Sequence, residues 1–400
     1  MKNTEAQKDA SQLFCPNEEC SARGKIGAGN LVSHGKKRER YQWKICGKTF
    51  SAHRGTMLEG LRKEEELIVV VVTLLAYGCP RQAIVHALGL DERTVARWQE
   101  RAGQHCQRVH EATVMQAKLN LEHVQADELR VKGHRLIPWM AMALMVSTRL
   151  WLGGVVREHR DRQLADQLMR MVKACCLPLC ALLVLTDGWS AYPGSIRRAF
   201  REKVKRTGKR GRCQLRSWPE IVIGTVIKKT AKHLVVEVIR RMAQGALEQA
   251  EELLALSAGG IQLNTAFIER FNGTMRERLA SLTRRSRHAA HRLAALEAGM
   301  WLVGCTYNFC WPHRELSRRV AHAQGRRGEV ALSPAMAAGL TDHLWSVREV
   351  LTFRFAPPPS IASKRRGCPK KTGEMLSRPF SGRPRPLLRL RKGVLCPSTR

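Results

Sequence analysis

The sequence predicts a multidomain α/β protein, and three observations predict it. Between residues 118 and 312, three apolar strand-like runs precede an amphipathic helix and a fourth, continuously apolar strand. Residues 62–112 carry helical periodicity interrupted by one glycine turn. Residues 1–58 are rich in Cys, Gly and Lys and show no sustained period. An extension follows at 313–356, and the Pro- and Arg-rich stretch 357–400 is expected to be a disordered basic tail.

Lys and Arg number 69 against 34 acids, a formal charge of +35. An excess of that size concerns partners: it favours a polyanion such as nucleic acid, although a ribosomal or histone-like protein would share it. The opening MKNTEAQKDASQ lacks the apolar core of a secretory leader. The longest apolar run, LIVVVVTLLA (67–76), is about half of what a membrane span needs. A soluble, cytoplasmic chain with no membrane partner is therefore expected. Thirteen cysteines in such a chain point to thiols or a metal site rather than to disulfides.

In the first module, CPNEEC and YQWKICGKTF resemble two cysteine knuckles joined by a basic segment, the layout of a zinc ribbon. Cys15, Cys20 and Cys46 are available as Zn²⁺ ligands, but Trp43 stands where a fourth thiolate is needed. His34 and His53 are alternatives without the right spacing. A small basic module that has lost its metal fits equally well.

The helical segment contains GCPRQAIVHALGLDERTVARWQERAG. A first helix over Arg81–Leu88 ends at Gly89, and Asp91 caps a second, running to about Arg101. Ile84, Ala87, Leu88, Leu90, Val95 and Trp98 form the expected interior of a helix-turn-helix. Arg93, Thr94, Arg97 and Arg101 would face DNA from the second helix. An ordinary helical hairpin is the alternative.

In the third stretch, EHVQADELRV reads as a strand with Gln125, Asp127, Leu129 and Val131 on one face and Glu128 and Arg130 on the other. WMAMALMVS and RLWLGGVVRE follow as strands, then the helix DRQLADQLMRMVKAC, with Leu164, Leu168, Met171 and Val172 inward. CALLVLTDGWSAYPG is a strand buried on both faces that ends at Asp187. In such mixed sheets ligands gather at strand carboxyl ends.

The acids acquire meaning together. Asp127 lies on the first strand, Asp187 ends the fourth, and Glu269 heads a late helix inside a basic segment that includes RRAFREKVKRTGKRGRCQLR (197–216). Converging carboxylates in a cationic field would bind hard cations such as Mg²⁺. Two such ions support phosphodiester displacement. In that helix Ile268, Phe271, Met275, Leu279 and Leu282 form the packing stripe, leaving Glu269, Asn272, Gly273 and Arg276 on an adjacent face. Beyond them, Arg284, Arg285, Arg287 and Arg292 would meet phosphate. Taken singly, Asp187 also suits a helix cap, and Glu269 a helix-dipole acid.

QADELRVKG, LTDGWSAYPG and NTAFIERFNGTMRERL resemble the three acidic motifs of DDE transposases of bacterial insertion sequences, of the type with an N-terminal zinc ribbon and a helix-turn-helix. The likeness runs from about Cys15 to Phe355. It implies an RNase H-like mixed sheet with flanking helices, and a catalytic triad of Asp127, Asp187 and Glu269 using two Mg²⁺ or Mn²⁺ ions. It further implies cleavage at element ends and transfer of the freed 3′-hydroxyl to target DNA, by a nucleoid-associated homo-oligomer on double-stranded DNA. Arg276 would orient phosphate. Two positions depart from the pattern: Trp43 replaces a cysteine, and in KRRGCPKK Cys368 replaces the central arginine of a minor-groove hook, for which SGRPRP (381–386) is a weak substitute. A non-catalytic DNA-binding protein or a decayed remnant is the alternative. A host nuclease or junction resolvase would share the acids without needing two N-terminal DNA-binding modules.

Overall fold

Alternation along the apolar strands sets the layering. In Leu182–Thr186, Leu183 and Leu185 join one buried cluster, while Leu182 and Val184 join the main core, so this strand is covered on both faces. The structure, a computed structural model, describes residues 13–15, 17, 19–26, 31–34, 40–133, 137–204, 212–232, 234–282, 292–323 and 330–355. They belong to one compact unit. The tail expected at 357–400, with KRRGCPKK and SGRPRP, lies outside the described residues.

The cysteine-rich start forms a small antiparallel sheet of β1 (Leu31–Ser33), β2 (Arg40–Trp43) and β3 (Thr49–Ser51). Three helices follow: α1 (Glu65–Ala76), α2 (Arg81–Leu88) and α3 (Glu92–His110), the last running into a π-helical turn at Glu111–Met115. Gly89 closes α2 in the left-handed conformation at φ 59°, and Asp91 Oδ1 accepts from the Thr94 N–H at 3.1 Å to cap α3. Ile84, Leu90, Val95 and Trp98 are buried, but Ala87 and Leu88, expected inside, are exposed. Eight residues of α2 present only one deep side chain, Ile84.

The larger sheet draws on β4 (Glu122–Arg130), β5 (Trp139–Met145), β6 (Trp151–Arg157), then α4 (Arg162–Cys175) and β7 (Leu182–Thr186). After α5 (Ala191–Ala199) and the separate hairpin β8 (Arg201–Val204) and β9 (Gln214–Ser217) come β10 (Ile221–Ala231) and β11 (Leu234–Gln244). The order is β11-β10-β7-β4-β5-β6. The pairs β4–β7 and β7–β10 are parallel and the others antiparallel, a six-stranded mixed sheet in an α/β protein. The helices α6 (Leu247–Leu256), α7 (Ala266–Arg278), α8 (Leu293–Phe309), α9 (Arg314–Ala323), α10 (Pro334–Ala337) and α11 (Val347–Thr352) complete the chain. Ala250, Leu253 and Leu254 of α6 cover one face of β7 and β10.

α3 runs well past the expected end near Arg101, because its second half is apolar on one side and packs along α8. There Gly103 meets Ala298 so closely that a Cβ would lie 2.2 Å from the Ala298 carbonyl oxygen. On the other side of α8, Asn308 brackets edge strand β6: it accepts from the Trp151 N–H at 2.9 Å and donates to the Trp151 carbonyl at 2.8 Å. The 313–356 segment closes back on the helical module: Arg348 pairs with Glu65 at 2.6 Å and with Glu66 at 3.1 Å. Among the described residues no helix is long and apolar enough to cross a membrane.

Three histidines are buried neutral in this core. His110 lies between Trp151 and Trp301, each ring 5.2 Å away, with Nε2 3.0 Å from the Leu152 carbonyl. Burial pulls His110 and His105 down to about 4 and His123 to about 3, from an ordinary 6.5. Folded values below the unfolded value mean that stability is complete above about pH 6.5 and is lost as pH falls toward 4. Denaturant midpoints are therefore expected to fall steadily between pH 7 and pH 4.5. His110→Phe, which fills the aromatic niche but loses the hydrogen bond, is expected to start lower at pH 7 and to fall less steeply.

Candidate active site

β4 outruns its parallel neighbour. Its register with β7 ends at Ala126↔Thr186, whereas its register with β5 continues to Arg130↔Trp139. Residues 127 and 128 therefore border a gap beyond the carboxyl end of β7, and side chains from both faces of β4 can turn into it. Carboxylate oxygens of Asp127, Glu128 and Asp187 lie within 4.8 Å of one another there. Glu128, expected on the other face of the strand with Arg130, nevertheless reaches this group, because beyond Thr186 β4 has no neighbour on that side and a side chain from its second face can turn into the gap.

Glu269 reaches the same place from the first turn of α7. With Asp127, Asp187, Arg160, Trp189, Lys228 and Thr265 it lines a cleft of about 510 Å³. The tight carboxylate group does not include it. Glu269 Oε1 instead accepts from Lys228 Nζ and from Thr265 Oγ1, each at 2.5 Å. Gln125, one turn of the pleat before Asp127, docks this helix: its Oε1 accepts from the Phe267 and Ile268 N–H groups at 3.0 and 3.1 Å. Two otherwise orphaned helix donors are thereby satisfied by the strand that carries Asp127.

Each acid is also held individually. Asp127 Oδ2 accepts from Asn272 Nδ2 at 2.8 Å, and Oδ1 from the Glu128 N–H at 2.8 Å. Asp187 Oδ1 accepts from the Trp189 N–H at 3.0 Å. Arg160 pairs with both Glu128 and Asp187. Burial and then the charge of Asp187 push Asp127 up to about 6, with the Arg276 charge opposing. Burial and Asp187 likewise push Glu128 to about 7 against the pull of Arg160, and burial raises Asp187. Such a group favours an added positive charge. The donors fit a hard divalent cation such as Mg²⁺ or Mn²⁺: they are carboxylate oxygens grouped within 4.8 Å, and the buried Glu128 carboxylate has only Arg160 and the Tyr192 hydroxyl to offset it.

In the first module the sulfurs of Cys15, Cys20 and Cys46 also lie within 4.8 Å of one another, with Cys15 and Cys46 Sγ 3.7 Å apart. Burial pushes the Cys15 thiol up to about 12, whereas the Lys48 N–H makes Cys46 the more acidic of the pair. Trp43 is buried and stacked on Phe50 at 5.5 Å, so it serves as floor rather than donor. His34 and His53 are outside the group, and His53 faces Glu65 at 3.7 Å. Three soft donors fit Zn²⁺, one short of its usual four.

The cationic positions divide. Arg93 and Arg97 are exposed on α3 and Thr94 is half-buried, while the half-buried Arg101 donates to the Glu59 carbonyl. α7 stops at Arg278 instead of continuing through the arginine run, and Arg284, Arg285 and Arg287 lie outside the described residues. Arg292 begins a separate helix and pairs with Glu100. Sequence reasoning missed Glu128, Arg160, Lys228 and Gln125 as site residues. Only Glu128 carried a signal, being a second acid beside Asp127 in an acid-poor chain.

No protein-family model matches the chain, and no curated protein matches it.

Asp127 is a crowded, buried carboxylate, so Asp127→Asn is expected to raise the melting temperature at pH 8 by about 2–4 °C per kcal/mol recovered. At pH 5, below its folded value of about 6, the wild-type group is protonated and the gain should vanish. Calorimetry at the two pH values checks this.

Proposed function

We propose that the chain is a metal-dependent phosphodiester-transfer enzyme acting on double-stranded DNA, a DDE-type transposase that cuts and joins the ends of an insertion element. The observation that carries this reading is convergence. Asp127, Asp187 and Glu269, from three segments far apart in the chain, line one cleft at the carboxyl end of a mixed sheet. The strand order, three antiparallel strands and then a helix crossover to a parallel one, supports an RNase H-like description of this domain.

Asp127, Glu128 and Asp187 would hold the divalent ions. Bound there, such ions activate an attacking oxygen and stabilise the leaving one in phosphodiester displacement. The chain's own residues do the rest. Asn272 and the Glu128 N–H fix the rotamer of Asp127, and Thr265 fixes Glu269 at the cleft's far wall. Lys228 and Arg276 supply positive charge next to the acids, where a phosphate oxygen would be stabilised. The exposed hairpin β8–β9 adds Arg201, Lys203 and Arg216 to the basic surface. Arg93, Thr94 and Arg97 at the start of α3 are the proposed groove-reading residues. A homo-oligomer paired on two DNA ends and a nucleoid-associated location follow from this reading.

A second reading, a DNA-binding remnant without activity, is favoured by two observations. Glu269 is paired with Lys228, and the ribbon-like module lacks its fourth thiolate at Trp43. We further propose that this module is a zinc ribbon with three protein ligands.

The two readings separate in a nicking assay with Mg²⁺ or Mn²⁺ on DNA carrying the ends that flank the gene. Asp187→Ala should lower cleavage at least about 10³-fold, the loss expected when an electrostatic catalytic group is removed, while DNA affinity stays within a few-fold. Persistent cleavage in that variant rules out the assignment, and inactive wild-type protein that still binds the ends favours the remnant. Arg97→Ala should weaken binding and reduce the salt slope by roughly one counterion. Elemental analysis of the purified chain should return one Zn²⁺ per molecule, lost in Cys46→Ser; a value near zero removes the ribbon.

A further inference from the structure

Arg160 lies in the turn between β6 and α4, where no strand or helix pattern singles it out. Its Nη2 touches Glu128 Oε1 and lies 3.3 Å from Asp187 Oδ2. Its guanidinium carbon also stands 4.7 Å from the ring centroid of Trp189 and 5.1 Å from that of Trp139. One cationic group thus bridges two acids of the cleft and rests against two indoles at its rim.

The two ends of this contact are unlike. The Glu128 side chain is 2% exposed, and apart from Arg160 its carboxylate has the equally buried Tyr192 hydroxyl beside it. A buried carboxylate with so few partners is costly. Arg160 is 34% exposed, so water competes for its guanidinium and weakens the pairing. Of three carboxylates whose oxygens lie within 4.8 Å of one another, two therefore share one monovalent, partly hydrated cation. Such an arrangement keeps the cleft from flying apart electrostatically, yet it leaves negative charge uncompensated.

We propose that Arg160 is a resident counter-ion, exchanged for a divalent cation, and that Glu128 is a further carboxylate of that cation's site. This rests on the metal-dependent reading above. In the exchange Arg160 gives up Glu128 and Asp187 but keeps Trp139 and Trp189 beside it, which hold a displaced guanidinium at the mouth of the cleft. There its planar donor fork is placed to meet a phosphate. Arg160 is on this account a positioning residue: it keeps the acids converged before the cation arrives and stays near the substrate afterwards.

The test is Mn²⁺ binding to the full-length chain, with free Mn²⁺ followed by electron paramagnetic resonance. Removing the competing cation in Arg160→Gln should tighten Mn²⁺ binding about tenfold, equivalent to about 1.4 kcal/mol. Arg160→Lys, which keeps the charge, should bind close to wild type. Methylguanidinium added to Arg160→Gln should weaken Mn²⁺ binding again, a rescue that a merely structural role would not produce. Glu128→Gln should weaken Mn²⁺ binding in either background. Unchanged or weaker binding by Arg160→Gln, with saturable binding by wild type, overturns the exchange and leaves the metal-dependent reading standing. Absence of saturable Mn²⁺ binding in both wild type and Arg160→Gln overturns that reading, and the exchange with it.

Discussion

The cleft depends on a mismatch of strand ends: β4 continues to Arg130 after its parallel partner β7 has stopped at Thr186. The mismatch opens a gap lined by backbone that has lost a neighbour. Side chains from both faces of β4 and from the end of β7 then share one small volume, and three of them are acids. Like charges in a region of low dielectric repel strongly, and burial adds to the cost of ionisation. The surrounding cations answer that repulsion. Arg160 on one side and Lys228 on the other reach acids from opposite walls, and Arg276 acts on Asp127.

The scaffold behind the cleft is stiff for reasons unrelated to charge. α3 and α8 approach at Gly103 and Ala298, and only a residue without a Cβ allows that distance. Asn308 on α8 uses both ends of its amide on the backbone of Trp151, locking the helix to the edge of the sheet. One continuous helix, α3, thus has an exposed basic start with Arg93 and Arg97 and a buried end at His110. The helix-turn-helix-like segment is therefore no detached module. Its second helix is part of the layer that supports the sheet, and the C-terminal α11 seals it through Arg348 and the Val350 carbonyl, which His105 Nε2 approaches at 3.1 Å.

The same site shows how a sheet and a helix are registered on one another. Gln125 spends its carbonyl oxygen on two helix donors of α7, and Asn272, little more than one turn later, spends its amide on Asp127. The first contact sets where the helix begins, the second its rotation. Together they fix Glu269 across the cleft from the other acids, which α7's own packing stripe of Ile268, Phe271 and Met275 could not do alone. A stripe specifies a face to within roughly the width of a side chain; a hydrogen bond specifies it to within tenths of an ångström.

Much of the fold was legible in the chain because its causes are local. The run Leu182–Thr186 is apolar at every position before Thr186, since both faces are covered, and Asp91 and Gly89 act through residues within one turn. Asp127, Asp187 and Glu269 could be named because each is an acid on a recognisable element of an acid-poor chain. Their approach could not be read, because it depends on register between strands and on where β7 ends. For the same reason the approach of Glu128 from the strand's other face was not foreseen: period-two alternation is a property of the strand, but the open edge beside it is a property of the sheet. Arg101 looked like its neighbours Arg93 and Arg97, and only the tertiary structure brought it to the Glu59 carbonyl. Arg160 had no signal at all. A charged residue in a turn acquires a role only from what the fold places beside it, here two carboxylates and two indoles.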